Sequence, residues 1–181
     1  MQHSCHEANS RWPTLTQVFN SKSAAKSADP LFPLMIMCKE SEGKKDQHGQ
    51  FVRIVTNSPE PMAVLAFDWT LQDLERFCTS KAQHTVLCVD LTFDLGSFHV
   101  TVMSYRHLML SNRRGSEKGK NPVMLGPLFA HQRKQFSSYH FFFTQLVELK
   151  PGLQRICAVD IDGEQALGNA LTTQFNQAVH L

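Results

Sequence analysis

The sequence predicts a mixed α/β fold built around one sheet, and three observations carry that expectation. Apolar stretches of strand length recur between residues 86 and 129, and a helical period takes over at 134–149. A strand, a helix and the start of another strand then follow over 156–181. With 181 residues, 42% of them hydrophobic and thirteen of them Phe, the chain can fill the core of one domain with a modest extension. The implied organisation is a flexible polar arm over 1–30, an N-terminal α+β extension over 31–84 and a core over 85–181.

In order along the chain, Leu31-Phe32-Pro33-Leu34-Met35-Ile36-Met37 reads as an edge strand interrupted by Pro33. Residues 39–50 read as a charged loop, and 51–55 and 62–67 as strands. Thr70, with Asp73 three residues on, is close to a capping box and opens a helix that ends near Thr79-Ser80. Leu71, Leu74, Phe77 and Cys78 fall on one face of it. A strand runs from Val86 to Phe93, turned by Asp94-Leu95-Gly96. Residues 97–105 alternate as a half-buried antiparallel strand with Phe98, Val100 and Val102 inward, and 106–110 could extend it.

After a basic loop at 111–121, a third apolar strand covers 122–129, bent at Gly126-Pro127. Phe136, Tyr139, His140, Phe143, Leu146 and Val147 are at helical spacing, and Pro151-Gly152 stops that helix. A strand at 156–161 precedes a helix at 163–175 with Ala166, Leu167, Ala170 and Leu171 inward, and Ala178 begins a fifth strand of the core. The plan is three antiparallel strands, then alternating helix and strand. There is no internal repeat.

Net charge is only +2, but residues 105–134 hold Arg106, Arg113, Arg114, Lys118, Lys120, Arg133 and Lys134 against one acid, Glu117. Such a stretch suits phosphate contact, although solvated loops are often basic without a nucleic-acid partner. The five cysteines are scattered without a C-x-x-C pair, which points to a reducing compartment, cytosol or nucleus. A polar N-terminus and the lack of a long apolar run predict a soluble protein that is neither secreted nor membrane-bound.

Chemistry-bearing residues concentrate on two apolar strands. Asp90 lies in Val89-Asp90-Leu91-Thr92-Phe93, and Asp160 and Asp162 in Val159-Asp160-Ile161-Asp162-Gly163. A carboxylate in a buried strand is expensive to desolvate unless its charge is used, and strand-borne carboxylates suit two-metal phosphoryl transfer. The bland reading of Asp90 is a strand-end acid bonded to neighbouring backbone, and composition alone leaves both open.

Asp162 would cap the following helix, and Glu164 would suit its dipole without any chemistry. A strand ending in D-x-D-G also resembles the nucleophile loop of haloacid-dehalogenase-type phosphatases. That motif normally opens its domain, whereas nineteen residues follow Asp162. The histidines make no metal pattern, His3, Cys5 and His6 are a weak zinc set, and Phe141-Phe142-Phe143 reads as core filling.

Three segments in order are similar to the Mutator-like (MULE) group of DDE/D transposases. They are the stretch from Val89 to Leu110, the N-P-V-M-L-G-P-L-F-A-H-Q stretch from Asn121, and D-I-D-G-E-Q-A-L-G-N-A-L-T-T-Q-F from Asp160. The resemblance spans roughly residues 50–181. It implies a ribonuclease-H-like core, Mg2+ or Mn2+ dependence, cleavage at transposon ends and strand transfer to target DNA. Also implied are a nuclear protein and a homo-oligomer in the full-length form.

Within the resemblance, Asp90 takes the first catalytic and metal-binding acid and Asp162 the second, with Asp160 as the alternative. The seven basic residues above become the DNA-contact set. The third acid of the family, a glutamate, lies beyond the fifth core strand, and the chain stops at His180-Leu181. The expectation is therefore an incomplete core without catalytic turnover. Its alternative is a host-retained DNA-binding or protein-interaction module built on the basic loop 113–120.

Overall fold

In the computed structural model the described residues are 50–95 and 97–181, together with Phe32 and Ile36. Along residues 50–181 the protein is α/β, with one mixed seven-stranded sheet and three α-helices. The strands are β1 (Val52–Thr56), β2 (Met62–Leu65), β3 (Leu87–Leu95), β4 (Phe98–Arg106), β5 (Val123–His131), β6 (Ala158–Ile161) and β7 (Val179–His180). The helices are α1 (Asp68–Cys78), α2 (Phe136–Leu149) and α3 (Gln165–Gln174), and a 3-10 turn spans Pro151–Arg155.

Strand order across the sheet is β1-β2-β5-β4-β3-β6-β7. The first five positions pair antiparallel, whereas β6 pairs parallel to β3 and β7 parallel to β6. Parallel strands need a crossover, and α2 and α3 supply them. The β1–β2 hairpin and α1 share this sheet and its core with the later elements. Arg53 joins them, its Nη2 2.7 Å from Asp68 Oδ1 in the first turn of α1 and its Nε donating to the Ala66 carbonyl at 2.6 Å.

All three helices lie on one face of the sheet. Leu71, Leu74 and Phe77 of α1, Tyr139, Phe142, Phe143 and Leu146 of α2, and Leu167, Ala170 and Leu171 of α3 join one buried cluster. From the sheet it takes Met62, Val64, Leu87, Val89, Met103, Tyr105, Phe129 and Val159. Alternation sends the intervening residues to the opposite face, where Val52, Ala63, Leu65, Phe98 and Ala130 form a second, smaller cluster.

Several local expectations are corrected. Helix α1 starts at Asp68, not at Thr70; no side chain caps it, and Thr70 Oγ1 donates back to the Phe67 carbonyl at 2.7 Å. Asp73 instead accepts the Tyr105 hydroxyl at 2.9 Å. Strand β3 continues through Asp94, which pairs with His99 across β4 and is not a turn residue. Strand β4 stops at Arg106, and both of its faces are buried, with Met103 and Tyr105 in the helix-covered core and Phe98 in the second cluster. The Gly126-Pro127 bend is a bulge within β5: Val102 pairs Leu128 and Ser104 pairs Leu125, leaving two residues opposite one.

Phe142 faces the core, while Phe136 is 43% exposed. Phe32 and Ile36 are helical, which is incompatible with an edge strand there; they stand one helical turn apart. The rest of 31–37, the arm 1–30 and the His3/Cys5/His6 set fall outside the described residues. Among the described residues no helix is long and apolar enough to cross a membrane.

A buried polar network closes the far end of β4 and β5. The His131 ring is fully buried, with Nδ1 2.9 Å from the Arg133 carbonyl and Nε2 2.9 Å from Thr101 Oγ1. A carbonyl only accepts, so Nδ1 donates to it. Burial outweighs the raising effect of that bond and, with smaller help from His99 and Lys134, pushes the pKa down from 6.5 to about 4, so near pH 7 the ring is neutral and Nε2 accepts the Thr101 hydroxyl.

The unfolded chain therefore binds a proton that the folded chain refuses between those values, so stability falls as pH drops from 6.5 towards 4. Urea unfolding across that range should show a loss of roughly 3 kcal/mol from this group. A His131→Gln variant should flatten the slope, and an equally steep slope in that variant would contradict the assignment.

Candidate functional site

The candidate site is where β3 meets β6. Their parallel register pairs Leu87 with Val159, Cys88 with Asp160 and Val89 with Ile161. Leu87, Val89 and Val159 enter the helix-covered core, so Cys88, Asp90 and Asp160 project to the opposite face. Asp162 follows Ile161, the last paired residue of β6, and lines the same cleft as Asp90. Cys88, Val89, Asp90, Asp160, Ile161 and Asp162 together line a shallow cleft of about 330 Å³.

All three aspartates are exposed. The expectation that a buried acid must use its charge is therefore corrected. With α1, α2 and α3 on the other face, these carboxylates remain in contact with water. Val89 and Val159, which precede Asp90 and Asp160, are buried because they alternate to the core side, and Ile161 packs partly buried against the same core.

Two irregularities shape the cleft. Leu91 pairs Thr101 while Phe93 pairs Val100, so β3 carries a bulge immediately after Asp90. Bulges increase local twist and are common beside functional sites. At the end of β6, Gly163 has φ +89°, with open space where a Cβ would stand. It turns the chain between Asp162, just past the end of β6, and the start of α3.

Helix α3 has Glu164 as its N-cap without a side-chain capping bond, so the capping role expected of Asp162 is not observed. Glu164 is held from the core instead. The Tyr139 hydroxyl of α2 donates to its carboxylate, 2.9 Å from each oxygen. Burial first, then that bond and the nearby charges of Glu164 and Asp162, raise the Tyr139 pKa. The sequence carries no local sign of this clamp, because its partners are twenty-five residues apart.

Beside the acids, Cys88 pairs Ser104 across β4. Burial, followed by the Asp160 charge, raises the thiol pKa against a smaller lowering from Arg106 and the Ser104 hydrogen bond.

The seven basic candidates divide. Arg106 ends β4, and Arg113, Arg114, Lys118 and Lys120 follow in the exposed β4–β5 loop, where Gly115 and Gly119 turn the chain at φ +82°. Arg133 and Lys134 lie beyond the other end of β5, a nine-residue strand away, or about 30 Å. Lys120 pairs with Glu117 at 3.0 Å, and Arg133 approaches Glu60 at 3.6 Å. These residues are therefore not one patch.

A roomier groove of about 420 Å³ runs past Phe51, Phe67, Trp69, Val123 and Leu125, but its lining offers no ionisable side chain for chemistry. The acid cleft is the candidate despite its smaller volume. No protein-family model matches the chain, and no curated protein or solved structure matches it either.

The Gly163 conformation gives a direct check on the acidic turn. Gly163→Ala should cost about 1–2 kcal/mol in urea unfolding through backbone strain alone. Gly163→Asn should cost less, because Asn enters the left-handed region more readily. Equal, near-zero costs for both would show that the turn does not need positive φ.

Proposed function

We propose that this chain carries the ribonuclease-H-like core of a Mutator-like DDE/D transposase, with Asp90 and Asp162 as its first two carboxylates. The observation that carries the reading is the β3–β6 pairing, which brings two acids distant in sequence to one cleft on the sheet face opposite α1, α2 and α3. The strand plan supports it as well. In spatial order β5-β4-β3-β6-β7, three antiparallel strands continue into two parallel ones, and the first acid stands on the central strand.

Carboxylate oxygens are the donors that Mg2+ and Mn2+ take. Among the described residues no three His, Cys, Asp or Glu side chains converge on one ion position. Magnesium is commonly held by one or two carboxylates with water in its other positions, so the cleft fits an open, weak site. When bound, such an ion stabilises charge on the attacking and leaving oxygens of a phosphodiester. The chain's own contribution is to hold Asp90 on β3, paired on both sides by β4 and β6, and Asp162 ahead of the Gly163 turn, with the Tyr139–Glu164 bond close by.

A second reading, a nucleic-acid-binding module without catalysis, is favoured by the exposed cationic loop 113–120 and by the absence of a three-ligand group among the described residues. Manganese separates the two. Titrating Mn2+ into the 15N-labelled chain should broaden the amides of residues 89–91 and 160–163 before any others. Asp90→Asn with Asp162→Asn should abolish that broadening. Uniform broadening, or none, would remove the metal-dependent reading and leave the binding module.

A further inference from the structure

At the opposite end of β6 from the acids, Lys81, His84, Arg155, Ile156, Cys157 and Gln177 line a pocket of about 210 Å³. This is room for roughly seven waters. Its polar lining comes from the α1–β3 loop, the 3-10 turn, the start of β6 and the segment before β7, and it contains no carboxylate. Lys, Arg and the Gln amide are all donors to oxyanions, and the Arg fork suits a tetrahedral one in particular.

Arg155 stands beside a carboxylate that is anchored elsewhere. Glu75 of α1 lies 2.7 Å from Lys150 Nζ and 3.6 Å from Arg155 Nη2, one carboxylate shared between two cations. A unit of positive charge therefore remains at the pocket rim, to which Lys81 adds another. Gly152 makes the sharing possible, since a Cβ there would come within 1.7 Å of Glu75 Oε1.

We propose that this pocket binds a phosphate group, either free or in a nucleic-acid backbone. The surroundings favour the polymer. Arg106 ends β4 at the same end of the sheet, its N–H donating to Thr85 Oγ1 at 3.3 Å just ahead of β3, and the 113–120 loop follows it. A polyanion crossing that end of the sheet would meet Lys81, Arg155, Arg106 and the loop in turn. The site is separate from the acid cleft and does not depend on its function.

Cys157 is a partly exposed thiol in the pocket lining, which makes occupancy measurable. The experiment alkylates the full chain with iodoacetamide and follows each cysteine by peptide mass spectrometry. Inorganic phosphate, a short DNA duplex and chloride of equal ionic strength are compared. At about ten times the dissociation constant, Cys157 alkylation should slow roughly tenfold, while a small-molecule thiol added to the same reaction serves as the reference.

Protection by phosphate alone identifies a free anion as sufficient, and protection by duplex alone identifies the nucleic-acid backbone. Both should vanish in Lys81→Ala with Arg155→Ala and persist in Asp90→Asn with Asp162→Asn. Protection no greater than chloride gives, or protection unchanged in the Lys81/Arg155 variant, would overturn the proposal.

Discussion

The parallel pairing of β3 with β6 is the constraint on which the rest of the structure depends. It joins the antiparallel part of the sheet to the parallel flank, and its register decides which side chains face water. Side chains in a strand alternate, so a slip of one residue would turn Val159 out of the core and Asp160 into it. Desolvating that carboxylate without a partner would cost several kcal/mol, and Val159 would lose its packing as well. The apolar residues that build the core thereby fix the acids on one cleft, without any contact between the acids being needed for stability.

A one-sided helix layer has a second consequence. Because α1, α2 and α3 all cover the same face, the β3–β6 half of the opposite face is left to polar residues. Asp90, Asp160 and Asp162 gather towards the C-terminal ends of β3 and β6. Lys81, Arg106, Arg155 and the 113–120 loop collect towards the N-terminal ends of the same strands. Charges of opposite sign are thus separated along the strand direction. A polyanion attracted to the basic end would be oriented before reaching the acids, as steering by a fixed charge distribution requires.

Much of the fold was legible because periodicity is local. The strand alternation in 87–106, the helical spacing over 136–149 and the Pro151-Gly152 stop each depend on neighbours in the chain. Asp90 and Asp162 could be picked out for the same reason, as acids in apolar runs. Less legible was anything decided by distant packing. Thr70 with Asp73 looked like a helix start, but Asp73 is claimed by Tyr105 thirty-two residues away. The aspartates looked buried because their apolar neighbours are, and only the placement of the helices shows that they face water. The Tyr139–Glu164 bond and the Glu75–Arg155 arrangement have no local signature.

The β3–β6 register is the most direct test. Cross-strand NOEs in the 13C,15N-labelled chain should link Cys88 with Asp160 and Val89 with Ile161, the pairing that brings Asp162 to the cleft that Asp90 lines. NOEs displaced by one residue, or the absence of any contact between these strands, would separate the two acids and contradict the account at its base.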